Sequence, residues 1–227
     1  MDKPGPIPDL NSPYPCSMPA PAVFFDRDDT LIHCNELPVA PPPAKRGDHV
    51  HPHLVTLLPG ALEACTALKA AGFKLVVISN QGAVARGAAP LALVEEVNDR
   101  MRALLRVPSL AAPEVSAPQQ PNSRRSDGEA RVSLIDATYY CPFHPQGQAP
   151  RFTREHDWRK PNPGMLKSAA AELGLDLARS WLIGDAPRDI EAGINAGLPA
   201  AHCLLLQPGS STPDLAAAAR TILGNRS

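Results

Sequence analysis

The sequence predicts an α/β fold in which a parallel sheet is flanked by helices on both faces. Short apolar, β-branched runs alternate with segments whose apolar residues recur at helical spacing. Such alternation makes βαβ units, whose parallel strands are covered on both sides. Several of the strand-like runs also end in polar clusters. In sheets of this kind ligands sit beyond the carboxyl ends of the strands.

Taken in order, "AVFF" at 22–25 reads as the first strand and runs straight into the acidic turn "DRDDT". Pro59-Gly60 opens a helix over 61–71, with Leu62, Cys65 and Leu68 on one face and Gly72 to close it. "FKLVVISN" at 73–80 is the second strand, and "QGAVARG" after it reads as a polar loop. Residues 91–105 form a helix with Leu93, Val97, Met101 and Leu104 on one stripe, and "SLIDATYY" at 133–140 is a strand. A helix over 163–173 stops at Gly174, and "WLIG" at 181–184 is a strand ending at Asp185. "RDIEAGINAG" is a helix, "AAHCLLL" at 200–206 the last strand, and 212–223 a closing helix.

A length of 227 residues suits one domain with an ample core. The 27 prolines cluster, so residues 1–21 read as a disordered tail. Residues 22–227 read as a single domain with flexible insertions at about 37–53 and 107–131. A formal net charge of -1 argues against a broad nucleic-acid or membrane-surface footprint. Five scattered cysteines without a CxxC pair point to a reducing interior. The chain shows neither a signal-peptide pattern nor an apolar stretch of membrane-spanning length. The expectation is a soluble, cytoplasmic monomer.

The acidic turn poses an electrostatic question. Asp26, Asp28 and Asp29 follow a buried strand, where like charges repel and unpartnered carboxylates are costly. Either they are solvated, or something strongly positive sits among them. The parallel-sheet reading brings Asp26 and Asp28, Ser79-Asn80 and Gly184-Asp185 to the same edge, so they should converge.

The ordered set "DRDDT", "SNQ", "RKP" and "GDAPRD" resembles the haloacid dehalogenase-like (HAD) phosphohydrolase superfamily over most of the chain. The resemblance implies a HAD-like Rossmann fold and Mg²⁺ held by Asp26, the Asp28 main-chain carbonyl and Asp185, a donor set that suits a hard cation. It implies Asp26 as nucleophile and Asp28 as general acid and base. Ser79 and Lys160 would hold the phosphoryl oxygens. Thr30 would fix Asp28 within the turn, and Asp189 would support the metal site or orient Lys160. Asp29 stands where many members have glycine. Aspartate tolerates a positive φ better than most residues, and Asp29 is expected to face outward without a catalytic role.

"ISNQGAVARG", "YYCPFHPQG" and "RKPNPGML" are similar to the D-glycero-D-manno-heptose 1,7-bisphosphate phosphatase and histidinol-phosphate phosphatase group. That group has no large cap domain. By this resemblance Asn80, Gln81 and Gly82 lie beside the substrate, Arg86 helps bind a second phosphate, and Arg159 reads the substrate's distal part. A guanidinium fork suits such an anion. The group usually carries a structural zinc on C-x-H and C-x-C ligands. Here Cys141 matches, but Phe143, His156 and Trp158 occupy the other positions, with His144 one place off. The reading therefore does not predict zinc and expects Phe143 and Trp158 to pack the loop instead.

The expected activity is hydrolysis of a small phosphorylated metabolite, with a sugar bisphosphate ranked before histidinol phosphate. Two other readings stand beside it: a nucleic-acid 3′-end phosphatase, which the neutral charge disfavours, and a silent scaffold using "VAPPPAKR" as a polyproline docking segment.

Overall fold

A computed structural model of the chain describes residues 19–108 and 131–225. Five strands form one parallel sheet: β1 (Ala22–Phe25), β2 (Lys74–Asn80), β5 (Ala137–Cys141), β6 (Trp181–Gly184) and β7 (Cys203–Leu205). Their spatial order is β5-β2-β1-β6-β7, so β1 lies at the centre. The chain adds strands to one side of β1 and then crosses to the other, which makes the β1/β6 gap a topological switch point.

Alternation along the strands feeds two cores. Val23, Phe25, Leu75, Val77 and Ile183 pack against α1 (Ala61–Ala70), α3 (Leu91–Leu104) and α6 (Leu215–Gly224). Their neighbours Phe24, Val76, Ile78 and Leu182 face α4 (Gly164–Leu173) and α5 (Pro187–Ala196) on the other side. Burial of both faces explains why these strands read as continuous apolar runs. Fully burying one such side chain contributes roughly 1.5–3 kcal/mol. Among the described residues there is no large cap domain.

Three expectations need correction. "QGAVARG" is not simply a loop: Gly82–Arg86 forms a short helix, α2, ended by Gly87 at φ 77. The predicted strand over 133–140 is two pieces. Ser133 ends β4 (Arg131–Ser133), which pairs antiparallel with β3 (Arg106–Pro108), and β5 starts only at Ala137. Between them the Ser133 hydroxyl bonds the backbone of Ile135, and the Asp136 carboxylate takes the Leu75 N–H at 2.8 Å. These side-chain bonds compete with the ladder and turn the chain. Finally, Ala200–His202 is a 3₁₀ turn before the last strand.

The stretch expected as an insertion at 37–53 makes defined contacts. His49 is buried, Asp48 pairs with Arg86, and Pro52–Leu54 forms a 3₁₀ turn. Of the insertion expected at 107–131, residues 109–130 lie outside the described residues, as do 1–18 of the expected tail; the ends of the former meet as the β3–β4 pair.

Candidate active site

Each polar cluster stands where a strand ends. Asp26 follows β1, and its N–H donates to the Ile183 carbonyl at 2.9 Å, so the carboxylate emerges at the switch point. Its Oδ1 accepts the Arg27 N–H at 2.7 Å and lies 2.8 Å from Lys160 Nζ. Lys160 is fully buried and reaches back beneath the strand tips, donating to the Ile78 carbonyl at 2.9 Å and standing 2.8 Å from Asp189 Oδ1. Asn80 holds the lysine's backbone from both sides, its Nδ2 donating to Lys160 O and its Oδ1 accepting from Lys160 N, each at 3.0 Å. The positive group required among the acids is thus, in part, Lys160.

One lysine does not neutralise the set. Asp26, Asp185 and Asp189 offer carboxylate oxygens within 4.8 Å of one another. Burial, then the charges of Asp189 and Asp28, push Asp26 up to about 7 against the pull of Lys160. Burial also raises Asp185, with the Asp189 charge second. Lys160 loses by burial but gains more from its two carboxylates, and its value is raised. Asp189 is committed elsewhere: Oδ1 to Lys160, and Oδ2 to the Ala186 N–H at 3.0 Å, which fastens the first turn of α5. Gly184 permits this approach, since a Cβ there would lie 2.5 Å from that of Asp189. The Asp185 Oδ1 is buried without a hydrogen-bond partner. Orphaned, electron-rich oxygens of this kind fit a hard divalent cation such as Mg²⁺.

Asp28 is held differently. Buried Arg27 grips its carboxylate with Nε at 3.0 Å and Nη2 at 3.1 Å, and Gln81 Nε2 donates to it at 2.9 Å. Arg27 is itself tied to Asn98 Oδ1 on α3 at 2.8 Å. Gln81 Nε2 also reaches Ser79 Oγ, at 2.8 Å. Thr30 does not fix Asp28, contrary to expectation; its Oγ1 is buried and unpartnered. Asp29 adopts the positive φ, 54°, but turns its carboxylate onto the N–H groups of Cys34 and Asn35 instead of outward.

Above these groups lies a polar cavity of about 330 Å³. Of the sequence-predicted residues, Asp28, Asn80, Gly82, Arg86, Arg159 and Asp185 line it. Asp26, Thr30, Ser79, Gln81, Lys160 and Asp189 are buried and do not line it. Arg86 and Arg159 converge over Gly82, where a Cβ would stand 2.9 Å from one guanidinium and 3.7 Å from the other. Other wall residues escaped the sequence reading of the site, among them Asp29, Arg46 and Asp48, the latter two from the stretch read as insertion, and Arg188 from the first turn of α5. Arg27 and Asn98 escaped too, although the arginine between two acids was the available signal.

The former metal-loop positions form an aromatic cluster. Phe143 stacks on His156 with centroids 4.3 Å apart, and Trp158 meets Tyr139 edge-on at 5.8 Å. Cys141 Sγ faces the Phe143 carbonyl, while Nδ1 of His144 and of His156 each accept a main-chain N–H. Phe143 and Trp158 pack as the sequence suggested. The carboxylate cluster, not these residues, is the converging ligand set among the described residues.

Comparison with known proteins agrees with this architecture. A HAD-hydrolase-like family model (Hydrolase_like) matches residues 157–222. The D-glycero-beta-D-manno-heptose-1,7-bisphosphate 7-phosphatase of Escherichia coli K12 is 33% identical over 181 residues, covering 78% of this chain and 75% of that one. Its counterpart from Mesorhizobium japonicum is 32% identical over 178 residues, covering 78% and 66%. A crystal structure of D,D-heptose 1,7-bisphosphate phosphatase from B. bronchiseptica, complexed with magnesium and phosphate, superposes with a TM-score of 0.63. It is 25% identical, with 90% of this chain and 98% of that chain covered. The chain belongs to the HAD phosphohydrolase superfamily, closely related to its heptose-1,7-bisphosphate phosphatase family. Among the described residues no helix is long and apolar enough to cross a membrane.

Proposed function

We propose that this protein is a Mg²⁺-dependent phosphatase of a small sugar bisphosphate, with D-glycero-D-manno-heptose 1,7-bisphosphate the first candidate. One observation carries the reading: Asp26, Lys160 and Asp185 arrive from three separate segments at one buried cluster, and Asp185, with Asp28, lines a cavity whose walls carry arginines.

In this reading the Asp26 carboxylate attacks phosphorus and the ester P–O bond breaks, leaving an aspartyl-phosphate. Asp28 gives its proton to the departing alkoxide, then takes one from the water that attacks the phosphoryl group, which frees Asp26 and inorganic phosphate. Lys160 neutralises charge beside Asp26, and the Ser79 hydroxyl donates to a phosphoryl oxygen. Arg27 and Gln81 orient Asp28, and Asp189 orients Lys160. Asp26, Asp185 and the Asp28 carbonyl would hold Mg²⁺, which when bound supplies the charge that balances the phosphoryl oxygens. Arg86 and Arg159 face the remote end of the substrate. Among the described residues Arg159 and Arg188 have no carboxylate partner, so an anionic second group suits them.

The test is phosphate release from the heptose bisphosphate. Asp26→Asn should reduce it by more than about 10³-fold, and a chelator should abolish it reversibly. Faster release from 3′-phosphorylated oligonucleotides than from sugar bisphosphates would overturn the substrate assignment.

A further inference from the structure

Arg159 has to hold a guanidinium over the cavity, yet it lies on an irregular loop. Two hydrogen bonds fix it. Its N–H donates to the His156 carbonyl at 3.0 Å, and its Nη1 donates to the Phe143 carbonyl at 3.2 Å. The residues supplying those two carbonyls are the pair whose rings stack, inclined by only 12°. Chain positions 143 and 156 are therefore clamped together ring to ring, and Arg159 hangs between their backbones.

The stack is held from several sides. The Arg154 guanidinium sits 3.9 Å from the Phe143 ring centroid, a cation–π contact. Phe152 meets Phe143 at 5.8 Å. The Trp158 N–H donates to His156 Nδ1 at 3.0 Å, which places that ring's own proton on Nε2 and fixes its plane. Trp158 then packs its edge against both His156 and Tyr139 of β5, tying the cluster to the sheet. A long loop is otherwise a poor mount for a charged side chain, because its conformational entropy works against a single geometry.

We infer that the Phe143–His156 stack is a positioning device that aims Arg159 at the part of the substrate remote from the reacting phosphate. Phe143 and His156 are positioning residues, and Arg159 is the group they serve. The inference rests on the phosphatase reading of the cavity, but it concerns selectivity and not turnover as such.

The experiment compares kcat/KM for a sugar bisphosphate with kcat/KM for 4-nitrophenyl phosphate, which has nothing to offer Arg159. In Arg159→Met that ratio should fall about tenfold, chiefly through KM. Phe143→Leu should lower it to a similar extent, Phe143→Tyr should preserve it by keeping the stack, and Phe143→Leu with Arg159→Met should lower it no further than Arg159→Met alone. If Phe143→Leu leaves the ratio unchanged, or the two substitutions multiply, the inference is overturned while the phosphatase reading stands. An unchanged ratio in Arg159→Met overturns both this inference and the assignment of Arg159 to substrate. Stoichiometric zinc in the purified protein, lost together with bisphosphate selectivity on chelation, would also overturn it, since a metal would then shape the loop.

Discussion

The sheet carries a lysine–carboxylate cluster at each end, and they are built in opposite senses. At the amino end of β2, Asp136 alone serves Lys69 at 2.5 Å, Lys74 at 3.2 Å and the Leu75 N–H. At the carboxyl end, Lys160 alone serves Asp26 and Asp189, with Asp185 close by and one of its oxygens unpaired. The first cluster is satisfied by its own members. Burial alone would raise Asp136, but its hydrogen bonds to Lys69 and Leu75 prevail and hold the carboxyl below its ordinary value. In the second, burial and repulsion raise Asp26 to about 7 despite the lysine beside it. An excess of buried negative charge that the fold does not neutralise is how a site for a cation and a phosphoryl group differs from a structural ion pair.

The two clusters bend stability against pH in opposite directions. A lowered carboxyl adds stability above its unfolded value, near 3.8, and loses it as pH falls through the folded value. A raised one works the other way: in the metal-free protein, Asp26 detracts progressively as pH rises from about 4 towards 7.

Breaking the upper cluster should have the largest effect. Lys160→Met leaves Asp26 and Asp189 facing each other in a buried space, and the unfolding free energy from urea titration should drop by about 3–5 kcal/mol. A drop no larger than that of an exposed lysine would mean that the site is hydrated and the burial argument fails. Next comes the missing cation. Mg²⁺ at about a hundredfold over its Kd should stabilise the wild type by roughly 2–3 kcal/mol, read as a rise in Tm, and Asp185→Asn should remove most of that gain. The smallest effect belongs to the lower cluster. Asp136→Asn should cost about 1 kcal/mol at neutral pH, flatten the stability loss towards pH 3, and leave phosphate release unaltered.

Legibility in the sequence followed the range of the interactions. The strands 22–25 and 181–184 were readable because their period and their breakers are local. Asp26 and Asp185 were readable as the ends of those elements and Ser79 as the end of the second strand, while Lys160 was legible only through the "RKP" resemblance, since it stands on a loop before α4. The hairpin stem inside "RVSLIDATYY" was not, since its β4 strand pairs with β3 on the far side of a long connection. Thr30 was misread because its hydroxyl could reach a turn partner in principle, while Arg27 and Gln81 had already taken Asp28.

By itself, then, the sequence determined the alternation of elements and the acidic, polar character of the strand tips, because periodicity and residue type act over a few neighbours. Which charge meets which was decided only in three dimensions. Lys160 finds Asp26 134 positions away along the chain, Arg86 finds Asp48, and Arg159 hangs from a ring stack between 143 and 156. Such pairings depend on distances that open only when the sheet is assembled and water is excluded from its carboxyl edge, and no local pattern encodes them.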